Sequence, residues 1–182
     1  MKRMFLLATS ALLFAHQAKA VDVQPYVGAD YVYSWANLED SEYFKDHFQA
    51  INVSAGIMAT SVMGLELSYQ QSQQNKKSSV IGQTKIEYKI LALDGAYYAG
   101  VLENLQIVGT AGLGYYEAKG KLKNAGVLDH GDNEHFGLRF GLGLQYSIDS
   151  NWALRVMGRY HYVDGDALKH MTDMTVGARY YF

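Results

Sequence analysis

From His135 to Ser147 every second side chain is apolar and, without exception, large. Phe136, Leu138, Phe140, Leu142, Leu144 and Tyr146 alternate with Gly137, Arg139, Gly141, Gly143 and Gln145. A period of two is the side-chain period of a β-strand; a helix would repeat its apolar face every 3.6 residues. The segment therefore predicts a strand with one apolar face and one face built of glycine, arginine and glutamine.

Seven further segments follow the same rule. Gln24 to Ala36 sets Val27, Ala29, Tyr31, Tyr33 and Trp35 against Gly28, Asp30 and Ser34. Ala50 to Ala59, Gly64 to Ser72, Leu105 to Ala118, Trp152 to Tyr162 and Thr172 to Phe182 alternate in the same way. Thr84 to Ala99 is the least regular. Leu91, Leu93 and Tyr97 suit the apolar face, but Ile86, Tyr88 and Ile90 have the wrong parity, which predicts either a bulge or a stretch standing clear of lipid. Short connections at 60–63, 100–104 and 148–151 alternate with longer, more polar ones at 37–49, 73–83, 119–134 and 163–171. Short turns at one end and long loops at the other, on an even strand count, predict an all-β, eight-stranded, antiparallel transmembrane up-and-down β-barrel.

Which face meets solvent decides between this barrel and a water-soluble sandwich. The polar face carries Arg139, Arg155, Arg159 and Arg179 beside Gly112, Gly114, Gly141 and Gly143. Glycine suits a crowded interior, and an eight-stranded barrel has room inside only for side chains. Asp30, Glu66 and Asp94 are the available counter-charges for a luminal network. The apolar face ends in two sets of aromatics, as expected at two membrane interfaces. Trp35, Tyr69, Tyr115, Phe136 and Tyr160 lie toward the long loops, and Tyr97, Tyr146, Trp152, Tyr180 and Phe182 toward the short turns. The terminal stretch GARYYF then puts Tyr180 and Phe182 toward lipid, with Arg179 and Tyr181 inward.

The first residues do not belong to this pattern. Lys2 and Arg3, a short apolar run from Met4 to Ala15 and the Ala18-Lys19-Ala20 site predict a cleaved signal peptide over residues 1–20, leaving a barrel over 21–182. Its removal takes three of the 16 basic residues and leaves 13 against 18 acidic ones, a net charge of −5. That charge weighs against nucleic-acid binding. Cysteine is absent, so an exported chain gains nothing from disulfides.

The stretches PYVGADYVYS, GLELSYQ, GTAGLGYYE, RFGLGLQYS and GARYYF resemble the OmpA/OmpX-type eight-stranded outer-membrane barrels, including the small opacity-type surface proteins. The resemblance covers essentially all of the mature chain. It implies a Gram-negative outer-membrane location and contact with outer-membrane lipid and lipopolysaccharide. It also implies that Phe182 matches the family's terminal aromatic assembly signal, read by the outer-membrane assembly machinery. The longer OmpA type continues into a peptidoglycan-binding domain, which this sequence does not carry, so cell-wall anchoring is not implied.

The luminal arginines admit two roles: a selectivity gate, or charge pairs that fill the interior. The narrow bore of eight strands favours the second. Five histidines (His47, His130, His135, His161 and His170) map to the long loops or adjoining strand ends. DHGDNEH, from Asp129 to His135, gathers histidines and carboxylates, but its spacing matches no closed zinc motif, so no metal is assigned. An enzyme that modifies lipid would need a nucleophile beside a base. His161 with Asp164 or Asp166 offers a base and its orienter, but Ser147 and Ser150 sit at the other end, and no catalytic residue or cofactor is assigned. GLG at Gly112–Gly114 and Gly141–Gly143 lacks the helix that a nucleotide loop requires. SEYFKDHF, from Ser41 to Phe48, could touch an extracellular partner or pack on the barrel rim. The expected function is a non-enzymatic envelope or adhesion-type surface barrel. A small porin-like pore or hydrophobic-solute conduit is the alternative, and a lipid-modifying enzyme the third.

Overall fold

A computed structural model describes residues 23–38, 47–73, 75–79, 82–124, 127–163 and 168–182. The signal peptide assigned to residues 1–20 lies outside them. The strands are β1 (Gln24–Leu38), β2 (His47–Met58), β3 (Met63–Ser72), β4 (Asn75–Ser79), β5 (Gly82–Leu102), β6 (Leu105–Asn124), β7 (Val127–Ser147), β8 (Trp152–Val163) and β9 (Leu168–Tyr181).

Consecutive strands pair antiparallel except β3 and β4, both of which pair with β5, and β1 pairs with β9, which closes the ring. The short β4 lies on the outer part of β5 and continues the stave begun by β3, so the barrel has eight staves. Closure leaves no row of unpaired backbone groups, which hydrocarbon would not tolerate. Pro25 opens β1, and its carbonyl accepts the Phe182 amide at 3.0 Å, so the last residue is tied to the first strand.

The alternation resolves cleanly into two faces. β8 reads exposed and buried in strict succession along its whole length. Phe136, Leu142 and Leu113 are 73%, 67% and 63% exposed on the outside, whereas Arg139, Arg155, Arg159 and Arg179 are at most 2% exposed inside. Arginine is the largest buried residue type here, the reverse of a water-soluble core. A chain in water would not keep leucine and phenylalanine outside while burying guanidinium groups, because both choices cost free energy there.

At the short-turn end the connections are stiffened locally. Thr60 Oγ1 accepts the amides of Val62 and Met63, and Asp149 Oδ1 accepts those of Asn151 and Trp152. These are side-chain-to-backbone bonds that stabilise tight turns.

At the other end the structure departs from the sequence reading in two places. The stretch 119–134 is not a loop. β6 and β7 continue into it in unbroken register, from Ala118 opposite Asn133 to Asn124 opposite Val127. The region 73–83 likewise holds a paired hairpin, Asn75–Ser79 against Gly82–Ile86. In the sequence Lys119, Lys121 and Lys123 do alternate with Ala118, Gly120 and Leu122, but without the large apolar parity that marks the other strands, and 75–79 and 127–133 show no alternation. The second departure is in β5. Its register with β6 is continuous from Gln83 to Gly100, which excludes the bulge, and Tyr88 and Ile90 are buried in the lumen, away from lipid. They meet Val32, Phe48, Ala50, Ala92, Tyr116, Val163 and Met171 in an apolar cluster at the loop end. The inward face simply becomes apolar there.

Candidate functional site

Among the described residues, charged groups from most staves converge on the barrel axis, and the interior is built in layers. Inward parity and the β-pairing bring Asp30 of β1, Glu66 of β3, Asp94 of β5, Arg139 of β7, Arg155 and Arg159 of β8 and Arg179 of β9 into the interior, all nearly solvent-free.

Glu66 is the hub. Its Oε2 accepts Arg155 Nη1 at 2.9 Å, the Tyr26 hydroxyl at 3.0 Å and Arg179 Nε at 3.4 Å. Arg159 Nη2 lies 3.7 Å from the other oxygen. Arg179 also grips Asp30 through two parallel bonds, Nη1 to Oδ1 at 2.7 Å and Nη2 to Oδ2 at 3.0 Å, and Asn52 donates to Asp30 Oδ2 at 2.7 Å. Such two-pronged pairs are the strong form of arginine–carboxylate contact. Arg139 bonds both oxygens of Asp94 and donates to Ser68 Oγ at 3.1 Å.

Below this layer, toward the short turns, the ionic groups are held by aromatic rings. Arg155 lies over the rings of Tyr26 and Tyr98, 6.0 and 5.7 Å from their centroids, and donates to the Tyr98 hydroxyl at 2.8 Å. The Arg155 Nε bonds Gln145, whose own amide donates to Tyr181 at 2.9 Å. Under Tyr181 a recess of about 410 Å³ opens at the short-turn end, lined by Gln24, Thr60, Gln106, Ser150 and Trp152 among others.

Glycines make this packing possible. A Cβ at Gly28 would stand 2.5–2.7 Å from the Arg179 side chain, and one at Gly177 would strike Ala29 O and Asp30 Oδ1. Gly112 has the same relation to Leu93 O and Asp94 Oδ1. By contrast Gly109, on the outer face, has nothing within 4 Å.

Above the ionic layer is a polar cluster that the sequence reading did not assemble. His161 Nδ1 bonds the Tyr116 hydroxyl at 2.8 Å and its Nε2 lies 3.1 Å from Asp173. Gln70 donates to Asp173 at 3.0 Å and to Tyr88 at 3.2 Å, and the Tyr88 hydroxyl meets Ser34 at 2.7 Å. The acidic partner of His161 is therefore Asp173; Asp164 and Asp166 lie outside the described residues. Asp173 shares the inward parity of Thr175 and Arg179, so one more step along β9 would have found it.

The aromatic residues assigned to the interfaces all project outward or lie at the rim. Trp35, Tyr69, Phe136 and Tyr160 are exposed at the loop end, and Tyr97, Tyr146, Trp152 and Phe182 at the turn end. Tyr115 and Tyr180 are half-covered by neighbours, Tyr115 by Phe136 and Tyr180 by Trp152 and Phe182. His47 stacks on Tyr33, and His170 on Tyr160, 5.8 Å between ring centroids in each case. Phe48 turns into the luminal apolar cluster and meets Tyr88 edge-on. The remainder of SEYFKDHF before His47, and the side chains of Asp129, His130 and Asp132, lie outside the description. No group of three metal-ligating side chains occurs among the described residues.

Comparison with known proteins agrees with this architecture. The family profile for "Outer membrane protein beta-barrel domain" matches residues 5–182. Among solved structures, Neisserial surface protein A superimposes with a TM-score of 0.70 at 19% identity, covering 87% of this chain and 97% of that one. Ail, the attachment invasion locus protein of Yersinia pestis, gives 0.60 at 17% identity, over 88% and 97%. The N-terminal β-barrel domain of Pseudomonas aeruginosa OprF gives 0.55 at 18%, over 87% and 100%. At these identities the likeness is one of fold. No curated protein sequence matches the chain.

Proposed function

Because the chain belongs to the outer membrane protein β-barrel domain family, we propose that it is a non-enzymatic surface barrel of the outer membrane, its lumen closed by its own side chains and its connecting loops turned outward for envelope structure and adhesion. The observation that carries this is the Glu66 hub. One carboxylate draws together guanidinium groups from β8 and β9, and the apolar cluster around Tyr88 and Phe48 fills the bore above it. A lumen cross-linked at mid-height and stoppered at the loop end leaves the outer surface as the part free to act.

The structural neighbours lend support of a limited kind. Ail carries attachment and invasion in its name and has been solved with the heparin analogue sucrose octasulfate. Neisserial surface protein A is likewise a surface protein by name. For this chain the loops would play that part, with outer-leaflet lipopolysaccharide around the barrel.

Planar-bilayer recording tests the closed lumen. Purified barrel should give conductance no greater than the protein-free membrane; steady open-channel currents would instead support the porin-like alternative. Binding of cells expressing the barrel to epithelial monolayers tests adhesion. Incubation with lipopolysaccharide should leave its lipid mass unchanged, and a shifted mass would establish an enzyme. Export through residues 1–20 predicts a mature protein that begins at Val21. Phe182 serves as the assembly signal in this proposal, so deleting it should lower the amount of folded barrel recovered from outer membranes.

A further inference from the structure

Three of the four luminal arginines have a carboxylate at close range. Arg179 holds Asp30, Arg139 holds Asp94 and Arg155 holds Glu66. The fourth acid, Asp173, is engaged by His161 and Gln70. Arg159 is left over. It is 2% exposed, its Nη2 reaches only to 3.7 Å from Glu66 and 3.9 Å from Met157 Sδ, and its Nε and Nη1 have no protein acceptor among the described residues. Arg139 Nη1 is also without an acceptor, although the rest of that guanidinium is bound. Arg139 of β7 stands opposite His161 of β8, two residues from Arg159, so the two arginines are diagonal neighbours on the inward face of adjacent staves. Two guanidinium groups thus face the same interior with three donor nitrogens lacking an acceptor among the described residues, and a buried charged donor left unpaired is costly.

We infer that Arg159 and Arg139 form a mid-lumen binding site for a small monovalent anion of the halide class. The anion would accept from Arg159 Nε and Nη1 and from Arg139 Nη1, and would neutralise a cation that, among the described residues, has no carboxylate nearer than Glu66 Oε1 at 3.7 Å. The adjoining wall is crowded. A Cβ at Gly141 would meet Thr110 Oγ1 and would stand 3.0 Å from Met157 Cε and 3.2 Å from Arg159 Cγ. That crowding favours a single-atom anion over a phosphate. The site is independent of any role played by the loops, and it neither requires nor implies conduction.

Bromide is the probe. The intact refolded barrel is crystallised with sodium bromide as the only halide, and diffraction is recorded at the bromine absorption edge. An anomalous peak within hydrogen-bonding reach of Arg159 and Arg139 is the expected result. A water without anomalous signal at that position, or bromide found only on the barrel exterior, would overturn the inference. In solution the heat-modifiability midpoint of the wild-type barrel should rise with bromide concentration relative to gluconate at equal ionic strength, because a ligand bound only by the folded state stabilises it by mass action. Arg159→Gln should lose that rise while Lys89→Gln keeps it. If Arg159→Gln does not refold, the wild-type series decides alone, and equal midpoints in the two salts would count against the site.

Discussion

At mid-height the lumen is held by charge, with Glu66 surrounded by Arg155, Arg179 and Arg159, Asp30 gripped by Arg179 and Asp94 by Arg139. At the loop end it is held by apolar packing, with Phe48, Tyr88, Ile90, Val163 and Met171 filling the same bore. Both layers exclude water, but they respond to damage differently. An apolar layer loses contact area in proportion to what is removed. An ionic layer loses little until a partner disappears, and then a charge is stranded where it cannot be solvated. The middle of this barrel is therefore the more brittle half.

Glu66→Ala is the harshest test of that difference. It strips an acceptor from Arg155 and Arg179 and the nearest carboxylate from Arg159, and should cost on the order of 3–5 kcal/mol or more. The transition at which the folded barrel loses its anomalous gel mobility should fall further than for any single apolar substitution at the loop end. An unchanged transition would mean that Glu66 is not a buried partner.

Asp94 and Arg139 sharpen the same point as a cycle. Asp94→Ala alone should cost about 3–5 kcal/mol, whereas Asp94→Leu combined with Arg139→Met should recover most of the loss, since an apolar pair of similar volume is often neutral. If the double variant is no better than the single, the pair contributes more than mutual neutralisation.

Glycine gives a third contrast, between inside and outside. Gly177→Val drives a side chain into Ala29 O and Asp30 Oδ1 and should cost roughly 1–3 kcal/mol. Gly109→Val points into open space and should stay within about 0.5 kcal/mol. Equilibrium urea unfolding in lipid vesicles reads both.

The mildest expectation falls on the loop-end layer. Ile90→Val removes one methylene and should cost about 0.5–1.5 kcal/mol by the same measurement. A loss as large as that of Glu66→Ala would abolish the distinction between the two layers.

The same difference explains what could be read from the chain beforehand. In the middle of the barrel the two environments are as unlike as possible, lipid outside and paired charge inside, so Leu142 and Gly141 or Val156 and Arg155 announce their faces. At the loop end the inner face turns apolar, and Tyr88 and Ile90 then look misplaced beside Leu91 and Leu93, although their register is regular. Farther out the apolar face is missing: Lys119, Lys121 and Lys123 alternate with Ala118, Gly120 and Leu122, a period of two with no large apolar parity, and residues 127–133 show no alternation at all. Pairings within the lumen were hidden for another reason. Parity says that His161 and Asp173 both point inward, but only closure between β1 and β9 and the shear of the staves bring Asp173, Gln70 and Ser34 to one level. The pairing of Asp173 with His161 is a fact of three dimensions.

The unbroken ladder of β6 and β7 has a mechanical consequence. From Tyr115 at the interface to Asn124 the paired strands run about 30 Å along their length. A tethered coil of that many residues would sweep a volume and spend entropy on any contact. A paired sheet behaves instead as a short mast: β5 lies on the other edge of β6 out to Gln83 opposite Lys123, and β4 lies on β5, so a protease that must thread an extended strand into its cleft finds β6 already paired on both sides.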